Sequence, residues 1–293
     1  MKLGNLLVSA ALVAGSSAGQ IRAADLQPGT VQAWDAYNRA ADLRVQARAD
    51  GRQAFLWTDE SADRKMRVLH GEIVVAPVTG RGTRSVPNGL IHDWIGAAFI
   101  PNATIERLFR VVHDYNRYKD FYKPVVADSR TLACSPENQE FLMLWQRRVL
   151  FLNAALEGRY QSHDVVVDAR RGYSVAETVK VQEVEDYGRT GQHLLPPDKG
   201  NGLIWRLRSI ARYAERDGGV YLELEAIALT RDIPASLRWL VSPVVSRLSI
   251  NSLTATLRQT RDAVTSLPLA VDAIALCPNR VPISADAKAA GGN

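Results

Sequence analysis

A chain of 293 residues, 46% hydrophobic and 23% charged, is long enough for one large domain or two small ones and can fill a core without metal or disulfide support. Disorder, which needs low hydrophobicity and high net charge, is excluded for most of it, and beyond Gln20 no run approaches the ~20 apolar residues that cross a bilayer. The net charge of +5 is carried mainly by arginine and is too slight to point to nucleic acid.

The N-terminus has the three parts of an export signal: a charge at Lys2, an apolar run from Leu6 to Ala14, and small residues up to Ala24. About ten apolar residues are too few to span a membrane and suit a signal core. Cleavage is expected after Ala18 or close to Ala23 and Ala24; the competing reading is a buried N-terminal helix. Export removes the charges of Lys2 and Arg22 and places the chain in the periplasm or outside the cell. There, Cys134 and Cys277 form either a disulfide or two separate thiols, and spacing alone does not choose.

Residues 26–30 read as a linker. Trp34, Tyr37, Ala41 and Val45 then recur at helical spacing, and Gly51 ends that helix. Residues 66–78 look like a strand, and 80–88 like a Gly/Pro/Arg loop. From Gly89 the pattern steadies. Residues 90–100 read as a strand, with Pro101-Asn102 offering a cap to a helix carrying Ile105, Leu108, Phe109 and Val112 on one face. A second short helix follows over 114–122. Strand-like runs come next at 125–133, 140–151, 156–168 and 173–184, then a loop over 188–202.

The clearest local signal is a hairpin over 203–230. Leu203, Trp205, Leu207, Ala211 and Tyr213 alternate with Arg206, Arg208 and Arg212; after Asp217-Gly218-Gly219, Val220, Leu222, Leu224, Ala226 and Ala228 alternate with Glu223 and Glu225. This pattern predicts one face against an apolar interior and the other in water, with Arg–Glu pairs adding roughly 0.2–1 kcal/mol each. Asp232-Ile233-Pro234 then starts a helix of about 30 residues, roughly 45 Å long, with Leu237, Leu240, Val241, Val244 and Leu248 on one face and Ile250, Leu253, Leu257 and Val264 continuing it. Pro243 should kink it or split off a first piece. Residues 268–293 read as a flexible tail. The expected layout is a signal at 1–24, an extension at 25–87, a main domain at 88–267 and the tail.

Catalytic signals are sparse. His70, His92, His113, His163 and His193 are scattered without metal-ligand spacing, and the sequence has no nucleophile elbow, phosphate loop or dinucleotide fingerprint. Neither a metal nor a cofactor is expected. His113 and Asp114 are adjacent on a helix and point about 100° apart, so they do not form a pair. What the chain offers is an apolar interior with aromatic inserts. Trp94, Phe141, Met143, Trp145, Tyr160, Trp205 and Tyr213 fall on strands, and the small Ala226 and Ala228 face a helix with Ser242, Ser246, Ser249 and Ser252 near its stripe. Small residues facing one another give either close packing or a void, and the void is the expectation adopted.

The segments Ile100-Pro-Asn-Ala-Thr-Ile-Glu-Arg-Leu-Phe109, Asp114-Tyr-Asn-Arg-Tyr118, Gly202-Leu-Ile-Trp205 and Ile233-Pro-Ala-Ser-Leu-Arg-Trp-Leu-Val241, in this element order, resemble the START-like, helix-grip (SRPBCC, polyketide cyclase-like) superfamily over residues 89–265. The resemblance implies an α+β helix-grip fold, a curved antiparallel sheet wrapped around a long C-terminal helix, and a hydrophobic tunnel between them. Lining it would be Trp94, Phe109, Tyr118, Phe141, Trp145, Tyr160, Trp205, Leu224, Leu240, Val244 and Leu248. The function this implies is an exported, non-enzymatic binder or carrier of a lipid, sterol, quinone or similar molecule, with contact at a membrane surface a further expectation. One alternative is a cyclase- or hydrolase-like enzyme using His92, Asp93, Tyr160 or His163. The other is an envelope protein-interaction module.

Overall fold

The computed structural model describes residues 25–135, 138–149, 152–232 and 235–268, with side chains for all of these except 148–149, 152–153 and 235–245. The signal segment and the tail beyond Pro268 therefore lie outside the described residues.

Helix α1 (Pro28–Ala49) starts inside the expected linker, because Pro28 and Gly29 form its first turn. A 3₁₀ turn at Trp57–Glu60 and helix α2 (Ala62–Leu69) follow. The strand expected over 66–78 is thus split: residues 66–69 end α2, which Ser61 caps by accepting from the Arg64 amide, and only β1 (Val74–Pro77) is extended. The loop expected over 80–88 contains a short strand, β2 (Thr83–Val86), paired with β3 (Gly89–Pro101).

Helix α3 (Ile105–Val112) is capped by Thr104, whose hydroxyl accepts from Arg107 N. Asn102, the cap expected from sequence, instead adopts a left-handed conformation with φ 55° and donates its amide to Gly218 O at 2.8 Å. After a 3₁₀ turn and α4 (Tyr118–Phe121) come β4 (Val126–Cys134), β5 (Gln139–Val149), β6 (Leu152–Asp168), β7 (Arg171–Glu185), the two-residue β8 (His193–Leu194), β9 (Arg206–Arg216) and β10 (Gly219–Arg231). Asp217 and Gly218, with φ of 55° and 77°, make the two-residue turn between β9 and β10 that matches strand twist. Helix α5 (Ala235–Ser266) runs unbroken through Pro243, so no separate first piece exists.

The strands form one antiparallel sheet in the order β1-β3-β10-β9-β7-β6-β5-β4, with β2 on β3 and β8 on β7. The sheet is curved but not closed. Helix α5 packs on β3, β1 and β10, and Arg147 of β5 reaches across to donate to Ser252 Oγ of α5 at 2.7 Å. Gly96 allows the close approach at the centre: a Cβ there would lie 2.7 Å from Leu257 Cδ1. The chain thus has the expected α+β helix-grip arrangement.

Both faces of the sheet are covered. On the concave side Leu253, Leu257 and Val264 of α5 join Ala98, Ile100, Leu222 and Leu108. On the convex side Trp34, Tyr37, Ala41 and Val45 of α1 pack on Ile91, Val175, Ile210, Ile227 and Leu229, and Phe55, Leu56 and Val68 pack on Val74, Ala97, Phe99 and Tyr221. The charged side of the hairpin therefore does not face water, as alternation suggested. Arg212, Glu223 and Glu225 are 1%, 0% and 4% exposed beneath the N-terminal extension.

Candidate functional site

Strand register sets the floor of the concave face. Ala176 of β7, Ser209 of β9 and Ala226 of β10 are successive cross-strand partners, with Trp94 next on β3. The row beside them is Ser174, Ala211, Leu224 and Gly96, and on the other side Leu207, Ala228 and His92 are partners. Small side chains thus pave the middle of three adjacent strands. Leu207, Ser209, Ala211, Leu224, Ala226 and Ala228 are all only half-buried, whereas Ile210 and Ile227, one residue on, are fully buried on the convex face. Accessible space lies over the floor.

One end of that space is walled by aromatics. Phe141 stacks between Tyr115 and Tyr160, with centroids 4.0 and 4.7 Å away and planes within 5°. Trp145 meets Tyr160 edge-on at 5.5 Å, and Tyr118 meets Phe141 at 5.9 Å. The hydroxyls that these rings bury are held: Tyr115 donates to Gln139 Oε1 and Tyr118 to Val112 O, both at 2.5 Å. Burial pushes the Tyr118 and Tyr160 phenols well above their ordinary range.

Among the residues expected to line a tunnel, Trp94, Phe141, Trp145, Tyr160 and Leu224 share the concave face, and Tyr118 abuts its aromatic wall. Phe109, on α3, packs edge-on against Tyr213 at 5.0 Å. Leu248 is half-buried on α5, while the Leu240 and Val244 side chains lie outside the described residues. Trp205 is a correction. It precedes β9, outside the regular alternation, and packs with Trp34, Ile227 and Leu229 on the convex side.

The acid–base residues considered for an enzyme are not brought together. His92 and Asp93 are neighbours in β3 and point to opposite faces; His163 is exposed, opposite Val175. Thr230 Oγ donates to Arg231 O, so His92 Nε2–H donates to Thr230 (3.0 Å), which leaves Nδ1 to accept from Thr83 (3.3 Å). Desolvation lowers the His92 pKa to about 4, consistent with that neutral ring. His113 pairs with Asp164 (Nε2 to Oδ1, 3.1 Å) rather than with its neighbour Asp114, and Ser174 donates to the same Asp164 oxygen.

A polar cluster on the convex face was missed from sequence. Tyr37 Oη donates to Asp93 Oδ2 at 2.7 Å, and Arg44 Nη2 lies 2.9 Å from Glu225 Oε1 and 3.4 Å from Asp93 Oδ2. Arg212 holds Glu225 Oε2 and Glu223 Oε2, and the amides of Trp57 and Thr58 donate to Glu223. The available signal was Arg44, one residue before Val45 of the apolar stripe of α1. Two surface clefts lie away from the concave floor. One, of about 470 Å³, is between α2, β1 and α5; the other, of about 540 Å³, is between Phe55–Asp59, the β6–β7 turn and the end of β9.

No family model and no curated protein matches this chain. Similar solved structures include a STAR-related lipid transfer protein from Xanthomonas axonopodis, 17% identical over 66% of this chain and 98% of its own, with a TM-score of 0.42. Others are human STARD10 (10% identity, 66% and 76% coverage, TM-score 0.40) and the Zhui aromatase/cyclase from Streptomyces (14%, 59% and 96%, 0.38).

Proposed function

We propose that this chain is an exported binder or carrier of a hydrophobic ligand, held between the concave face of the sheet and α5. The observation that carries the reading is the half-accessible floor of Ala176, Ser209, Ala211, Ala226 and Ala228, walled by Trp94 on one side and Trp145 and Tyr160 on the other. Large side chains there would fill that space; small ones leave room for a guest of mainly apolar character. Burying about ten methylene groups of such a guest contributes roughly 8 kcal/mol before the costs of association. Export is supported by the tripartite N-terminus and by Cys134, which is disulfide-bonded, a state favoured in oxidising compartments.

Native mass spectrometry of the purified mature chain tests the proposal. A population carrying a non-covalent lipophilic molecule, removed by organic extraction and restored on adding it back, is the expected result. A single ligand-free mass that does not change when lipophilic molecules are offered would refute it.

A further inference from the structure

The convex cluster shares two ion-paired guanidiniums among three buried carboxylates. Asp93, Glu223 and Glu225 are 2%, 0% and 4% exposed; the guanidiniums of Arg44 and Arg212 ion-pair with them, and Arg64 acts on Glu223 through space. Glu223 takes Arg212 and two backbone amides; Glu225 takes Arg44 on one oxygen and Arg212 on the other. Asp93 is left with the Tyr37 hydroxyl and a share of an Arg44 nitrogen already committed at shorter distance to Glu225, and its Oδ1 is buried with no hydrogen-bond partner among the described residues. Burial with so small a share of cationic charge favours the neutral form of Asp93.

We propose that Asp93 binds a proton when α1 is docked on the sheet, so that α1 is a proton-linked clamp on the convex face. Helix α2 brings Arg64 near Glu223. Helix α1 brings Tyr37 and Arg44, β2 brings Arg84 against the Tyr37 ring, β9 brings Arg212, β10 brings Glu225 and Glu223, and His92 on the same strand points to the other face. Burial first, and then the charge of Glu225, raises the Asp93 pKa to about 7. Undocking α1 returns the carboxyl to water and to an ordinary affinity near 4. The docked state therefore binds the proton more tightly. Its advantage is full below about pH 4 and drains away as pH rises through about 7. The nearest structural consequence is loosening of the convex apolar cluster that holds both Trp34 and Trp205, the latter in the segment leading into β9.

Asp93→Asn, the same shape without the titration, isolates the effect. Relative to wild type, the variant should gain thermal stability as pH rises from about 4 to about 7, by on the order of 5 °C or more. Hydrogen exchange, corrected for the intrinsic rate, should show α1 losing protection relative to β6 over the same range in wild type and not in the variant. A stability difference that stays constant with pH, or α1 protection that changes alike in both proteins, overturns the proposal. Should the variant not fold, ¹³C-carboxyl titration of wild type decides: a midpoint near neutrality supports the clamp, and one near the ordinary aspartate value of about 4 overturns it.

Discussion

Ser209 and Ala226 are register partners on the concave face of β9 and β10 and both stay half-accessible, while Ile210 and Ile227 beside them are 0% exposed on the convex face. The helix-facing surface of a filled two-layer packing would be dry; here the drier side is the one under α1.

Stability should follow that inversion. Ile227→Ala empties a closed site and is expected to cost about 2–5 kcal/mol, whereas Ala226→Leu extends into open space and should cost less than about 1 kcal/mol. Urea unfolding of the two variants measures both. Equal losses would mean that the floor is already packed.

Arg212 should be among the most sensitive positions of the chain. It is 1% exposed and holds both Glu223 and Glu225. Arg212→Met keeps much of the volume but takes from two buried carboxylates the guanidinium they share, for an expected loss of about 3–5 kcal/mol. A loss below about 1 kcal/mol in denaturant unfolding would show that the cluster is solvated.

His92 and Asp93 have opposite pH linkages. The folded His92 pKa, about 4, lies below its unfolded value of 6.5, so its contribution is present above pH 6.5 and is lost as pH falls toward 4. Asp93 loses its contribution as pH rises over nearly the same range. The two largely cancel in wild type, and each single variant should expose the other. His92→Gln should leave a protein that is destabilised by rising pH between about 4 and 7, and thermal melts across that range test the sign. A flat profile in this variant contradicts the account.

Cys134 is disulfide-bonded, and the one other cysteine in the sequence is Cys277, outside the described residues. Native protein should therefore titrate no free thiol before reduction and two after it. Reduction should lower stability by about 2–5 kcal/mol. Two reactive thiols in the untreated native chain would contradict this.

From Gly89 onward the fold was legible because its signals are local: a period of two in β9 and β10, and helical spacing at Ile105, Leu108, Phe109 and Val112. The failures lie where a second segment decides the outcome. Alternating Arg and Glu is the usual pattern of a wet face, and nothing within 203–230 announces that α1 covers it with Arg44 and Tyr37. Residues 66–69 have strand-like side chains, yet Ser61 commits them to α2 from outside that window. The concave floor was half visible: Ala226 and Ala228 stood out, but Ala176, Ser209 and Ala211 join them only through register.

The most direct test of a guest site on that floor is titration of the delipidated protein with a lipophilic fluorescent dye, comparing wild type with Ala226→Phe. Saturable binding at one site in wild type, lost or weakened at least about tenfold (1.4 kcal/mol) in a variant that melts at the same temperature, is the predicted result. Absence of saturable binding to wild type, or undiminished binding to Ala226→Phe, would contradict it.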